Sequence, residues 1–295
     1  MKKLILLIFA CVLFTGCLKR DNMEDITIYT TIYPLEFITN RLYGEYSNIQ
    51  SIYPKGVNVQ LEECEKCELY TLTDKQLSDY SKADLFIFNS LLYEGNYVKP
   101  MFSSNKDLKI INATDHLVKD DYYGLEELWL DPSRLSTLAR NIKNGFEEYI
   151  DNYYLKNDIN DNFITLKEDL DKLESRMSEL TKKADNKVLV VGDPVFEFLS
   201  REKYGLTVYV INENTNEKTK QTVKSLINKG KVKYIYIKQY DDTNDEIKKL
   251  IKGTKVEVVP INTLVNLTES ERNSNKDYFM IMNENIELLK KGLYN

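Results

Sequence analysis

Two cysteines three residues apart, inside an acidic run, are the most chemically suggestive residues of this chain. Cys64 and Cys67 stand in the stretch Glu62-Glu63-Cys64-Glu65-Lys66-Cys67-Glu68. Such a pair can close a small disulfide loop in an oxidising compartment. As thiolates, the same pair can hold zinc or another soft ion, although a structural zinc site takes four ligands and usually a second pair. The only other cysteines are Cys11 and Cys17, and the residues alone leave both readings open. There is a single histidine, His116, in the segment INATDHLVKDD, where it reads as a loop residue. One histidine rules out a His-rich zinc site and leaves no partner set for a His-based triad. No G-x-S-x-G, phosphate loop or G-x-G-x-x-G follows any candidate strand. These residues give enzymatic activity little support, and none is expected.

The N-terminus addresses the chain to a membrane. Lys2 and Lys3 precede an uncharged apolar run over residues 4–14. That run is shorter than the ~20 residues a spanning helix needs and fits the apolar core of a signal peptide. It ends in Phe14-Thr15-Gly16-Cys17, which resembles a bacterial lipobox, with Phe14 where Leu is usual. The expectation is a signal peptide over residues 1–16 and lipidation of Cys17, with the chain anchored on the extracytoplasmic face of the cell membrane. Two acyl chains give stable anchoring at ~0.8 kcal/mol per buried CH₂. Removing Lys2 and Lys3 from the 40 basic residues, against 46 acidic ones, takes the formal charge from -6 to about -8. An acidic chain of this kind is a poor partner for nucleic acid.

The periodicities then define what positions the chemistry. Apolar β-branched runs at 26–31, 49–53, 83–88 and 108–111 read as strands, alternating with helical spacing at 34–42 and 73–81. Residues 132–149 are helical. Apolar residues at Phe163, Leu166, Leu170, Leu173, Met177 and Leu180 make 159–184 one long amphipathic helix. The alternation restarts with strands at 187–191, 206–211, 234–237 and 256–259 and helices at 194–202, 217–228, 244–251 and 277–293. The expectation is an α/β protein of two doubly wound lobes joined by one long linking helix, with a ligand cleft between the lobes. The divisions are a lipidated tether at 17–25, an N-terminal lobe at 26–150, the linking helix at 151–185 and a C-terminal lobe at 186–295.

With these elements in place, the chain resembles the metal-type solute-binding lipoproteins of ABC importers, which deliver zinc or manganese. The resemblance rests on TTIYPLEFI, TDKQLSDYSKADLFIFNS, LWLDPSRL, the long helix, VFEFLSREKYGL and KDYFMIMNENIELLKKGL, in family order over nearly the whole mature chain. It implies a monomeric, rigid two-lobe protein that holds a divalent metal ion between its lobes and passes it to an ABC permease in the membrane. The family's three histidine ligands map here onto acids. Counting back from Asn89 puts the first on Glu68, the position two before Trp129 is Glu127, and the position three before Phe196 is Asp193. The family's acidic fourth ligand falls on Lys238, and its later acidic position falls near Pro260 to Asn262, where no residue is charged.

Three carboxylates brought together raise one another's pKa unless a cation sits among them. That cation is either a metal, with oxygen ligands shifting the preference toward harder ions such as manganese without excluding zinc, or Lys238 itself. Trp129 is expected to pack beside the cleft. A surface lipoprotein or adhesin, or a binder of a different small solute, is the alternative if the metal site has been lost.

Overall fold

The computed structural model describes residues 23–57, 59, 61 and 70–294. Cys17, Cys64, Cys67 and Glu68 lie outside the described residues. Two parallel four-stranded sheets carry the chain. In the first, β1 (Ile26–Thr30), β2 (Ser47–Ser51), β3 (Leu85–Phe88) and β4 (Lys109–Asn112) lie in the order β2-β1-β3-β4. In the second, β5 (Val188–Val191), β6 (Thr207–Val210), β7 (Tyr234–Lys238) and β8 (Glu257–Ile261) lie in the order β6-β5-β7-β8. The two lobes thus repeat one winding. In each, the chain leaves the first strand toward one neighbour and returns on the other side, which leaves a crevice at the carboxyl ends of the strands.

The helices follow in chain order. The first lobe has α1 (Tyr33–Tyr43), α2 (Asp74–Tyr80), α3 (Val98–Ser104), the single turn α4 (Glu127–Leu130) and α5 (Pro132–Tyr149). Then come α6 (Tyr153–Lys183), α7 (Glu217–Asn228), α8 (Asp245–Ile251), α9 (Glu269–Asn273) and α10 (Tyr278–Leu293). Capping explains several starts. Thr73 and Gln76 cap α2 reciprocally, and the Asp131 carboxylate accepts from Ser133 N at 3.0 Å with Pro132 at the first helical position of α5. Gly145 lets α5 lie close on the sheet, because a Cβ there would meet Ile111 at 2.7 Å.

The long helix α6 runs for 31 residues, about 46 Å at 1.5 Å per residue. Its buried stripe of Leu155, Ile159, Leu166, Leu170, Leu173, Met177 and Leu180 packs on α1 and α5 of the first lobe and on α10 of the second. One hydrophobic core therefore passes through both lobes. Its stripe makes α6 an amphipathic strut, and no helix among the described residues is long and apolar enough to cross a membrane.

Two readings of the sequence change. The stretch expected as a helix over 194–202 is a 3-10 helix, Pro194–Ser200, broken at Phe196 (φ -112, ψ 18). Its buried residues Val195, Phe196, Phe198 and Leu199 repeat every three positions, the period of the tighter helix. The strand expected at 49–53 is Ser47–Ser51, set by its parallel register with Ile26–Thr30.

Candidate functional site

A cleft of about 930 Å³ opens between the lobes at the carboxyl ends of their strands. Its second-lobe wall starts with Asp193, two residues past β5, and Lys238, the last residue of the adjacent strand β7. Asp241 follows on the same loop, and Tyr240, at φ 76, presents its ring to solvent. The first-lobe wall is the loop that carries Tyr122, Tyr123 and Leu125 into Glu126.

Charges converge at the base. Lys238 Nζ lies 2.6 Å from Glu126 Oε1 and 3.2 Å from Asp193 Oδ1. The Glu126 oxygen is buried, and the lysine is a charge partner to it without the alignment of a hydrogen bond. Burial works against the Lys238 ammonium, but Glu126 and then Asp193 outweigh it and hold its pKa above the ordinary lysine value. Asp193 moves upward, chiefly through burial, with Lys238 opposing and Glu126 adding to the rise. Asp241 is raised for the same first reason. The base of the cleft therefore seats the Lys238 side chain between acidic groups supplied by opposite lobes.

Glu127 stands elsewhere. Its side chain is wholly buried and turned away from the cleft. Oε1 accepts from Arg201 Nη2 at 2.7 Å and lies 3.7 Å from Arg134 Nε, while Oε2 accepts from Tyr123 N at 3.1 Å. Arg201 also donates to the Asp121 carbonyl at 3.0 Å and lies over the Tyr123 ring. Glu127 and Arg201 thus tie the loop that carries Glu126 to the second lobe. Trp129 is fully buried and does not line the cleft. Its indole donates to the Thr263 carbonyl at 2.7 Å, and its own carbonyl accepts from Tyr278 Oη at 2.7 Å, so it is a keystone between lobes. Further ties are Arg272 with both Glu36 oxygens at 2.6 and 2.7 Å, and Lys203 with Asp131 at 2.9 Å. These contacts bridge the two lobes beside the cleft.

Of the residues singled out in the sequence, the structure brings Asp193 and Lys238 together and adds Glu126 and Asp241. The second glutamate of the pair 126–127 was the natural choice by counting. No sequence signal separated the two glutamates, because Arg134 lies beyond the break at Asp131 and Arg201 comes from the other lobe. His116 is at φ 60 on the surface beside Asp115, away from the cleft. Among the described residues, no group of three or more His, Cys, Asp or Glu is placed to hold a metal ion by itself.

Comparison with known proteins bears on this arrangement. Residues 28–292 match the family described as zinc-uptake complex component A, periplasmic (ZnuA). The high-affinity zinc uptake system protein ZnuA of Bacillus subtilis (strain 168) is 25% identical over 317 aligned residues, covering 98% of this chain and 94% of that protein. The zinc-binding protein AdcA of Streptococcus pyogenes serotype M3 is 24% identical over 334 aligned residues, covering 98% of this chain but 61% of that longer protein. The Zn(II)-bound ZnuA-like domain of Streptococcus pneumoniae AdcA superposes with a TM-score of 0.71 at 22% identity, covering 92% of this chain and all of that one, which shows the fold.

Proposed function

We propose, because this chain belongs to the family of periplasmic zinc-uptake complex component A proteins (ZnuA), that it is the extracytoplasmic solute-binding component of an ABC importer and that its cargo is a divalent metal ion. Relatives named for zinc uptake and zinc binding support zinc as that ion, and carboxylate oxygens would also accept manganese. The observation that carries the reading is the meeting of Glu126 from one lobe and Asp193 from the other on a single positive charge. The cargo ion takes the place of the Lys238 ammonium, with Glu126 and Asp193 as ligands and Asp241 adding negative charge at the rim. Glu127 is a positioning residue in this scheme, acting through the loop it shares with Glu126.

The remaining parts follow from the sequence. Lipid on Cys17 tethers a monomer to the outer face of the membrane, beside its permease. Incorporation of labelled palmitate, lost in Cys17→Ala, checks the anchor.

Calorimetry on metal-free mature protein tests the cargo. One zinc or manganese ion per chain is expected to bind, at least tenfold more weakly in Asp193→Asn and at least tenfold more tightly in Lys238→Met, which removes the competing ammonium. Failure of both ions to bind to wild type and to Lys238→Met would overturn the metal reading.

A further inference from the structure

The base of the cleft is poorly suited to a bare ion. A divalent cation drawn to Glu126 and Asp193 arrives next to Lys238, whose Nζ is seated between those same carboxylates at 2.6 and 3.2 Å. Two like charges a few ångströms apart repel strongly once water is excluded. Among the described residues, the only metal-ligating side-chain atoms at the base are carboxylate oxygens, whereas zinc binds nitrogen and sulfur readily. The chain's one histidine is on the surface outside the cleft. The space is also large. At about 930 Å³ it falls in the range of pockets that enclose small organic molecules, roughly 300–1,000 Å³. The ties between lobes at Trp129, Arg201, Arg272 and Lys203 oppose its collapse onto an ion.

We propose that the ion is taken together with one α-amino-carboxylate co-ligand, an inference that rests on the metal-import reading above. The co-ligand's carboxylate lies between the ion and the Lys238 ammonium, satisfying both and removing their repulsion. Its amine, and any side-chain nitrogen, fill coordination positions that Glu126 and Asp193 leave open. Its side chain lies along the cleft walls, where Tyr122 and Tyr123 face from one lobe and Tyr240 from the other. Bond making is coordination only: the amine binds as the free base and releases its proton to solvent, and no redox change or group transfer occurs.

Native mass spectrometry and calorimetry on metal-free mature protein test this with zinc chloride alone, L-histidine alone and the two premixed one to one. The expected result is a complex of one chain, one zinc and one histidine, formed at least tenfold more tightly than the zinc-only complex. Lys238→Met is expected to abolish that preference while still binding zinc, and Lys238→Arg, which keeps the positive charge, to retain it. Zinc bound equally tightly with and without histidine, and with no histidine in the complex, would overturn the co-ligand and leave the metal reading standing. Histidine bound alone, with no zinc taken up in either form, would overturn both.

Discussion

At the scale of single residues, two of the buried acidic side chains, Glu127 and Glu94, meet the same problem in opposite ways. Glu127 is paired with Arg201 across the lobes at 2.7 Å. Among the described residues, no cation is paired with Glu94. Its Oε1 accepts from the Thr31 hydroxyl and from Asn89 N, its Oε2 is buried without a partner, and burial pushes its pKa from 4.5 up to about 8. Since the folded value is above the unfolded one, the contribution of this group is fully favourable below pH 4.5 and declines as the pH rises toward 8. Over that window the unfolded chain releases a proton that the folded one retains. Glu94→Gln removes this penalty. It is predicted to raise stability at pH 7 by about 3 kcal/mol relative to its effect at pH 4, at ~1.4 kcal/mol per pH unit. Denaturant unfolding at the two pH values measures this, and an equal effect at both would show that Glu94 is ionised in the folded protein. Neither carboxylate's role was visible in the sequence. Glu94 lies in an ordinary polar stretch, YEGNY, and nothing near it in the chain predicts full burial.

At the scale of elements, the sequence was most informative where caps and period agreed. The helices at Pro132–Tyr149 and Glu217–Asn228 have the boundaries that their spacing predicts, because Asp131 with Pro132 and Asn216 mark their starts. The long helix begins six residues earlier than its clearest stripe, at Tyr153, because the Asn152 side chain caps it by accepting from Tyr154 N. The turn Glu127–Leu130 was not legible, since four residues carry too little periodicity to show which glutamate faces the cleft. Its energetic weight is nonetheless large. Trp129 fills the junction of the two lobes, so Trp129→Ala leaves a cavity there and an unpaired Thr263 carbonyl. It is predicted to cost about 3–5 kcal/mol, measured as the shift in denaturant midpoint at constant slope. A loss under about 1 kcal/mol would mean that the lobes are held together chiefly by α6.

At the scale of the whole molecule, the two-lobe α/β plan was readable because its strands and helices alternate twice around one long amphipathic stretch. The site was readable only in outline. Acids replace the expected histidines at Glu127 and Asp193, but the side chains that meet at the cleft come from both lobes, and only tertiary packing decides which do. Glu126 reaches the cleft because Arg201 and Arg134 hold its neighbour Glu127 inward. Lys238 enters because β7 and β5 are adjacent in the sheet. The result is an acidic inter-lobe cleft whose resident charge, Lys238, has the sign of the proposed cargo. Anomalous diffraction at the zinc edge, from crystals of the mature protein grown with zinc, locates the ion directly. One peak is expected within bonding distance of both Glu126 and Asp193, with the Lys238 ammonium displaced from between them. A fully occupied peak elsewhere, with Lys238 still seated on Glu126 and Asp193, would contradict that placement.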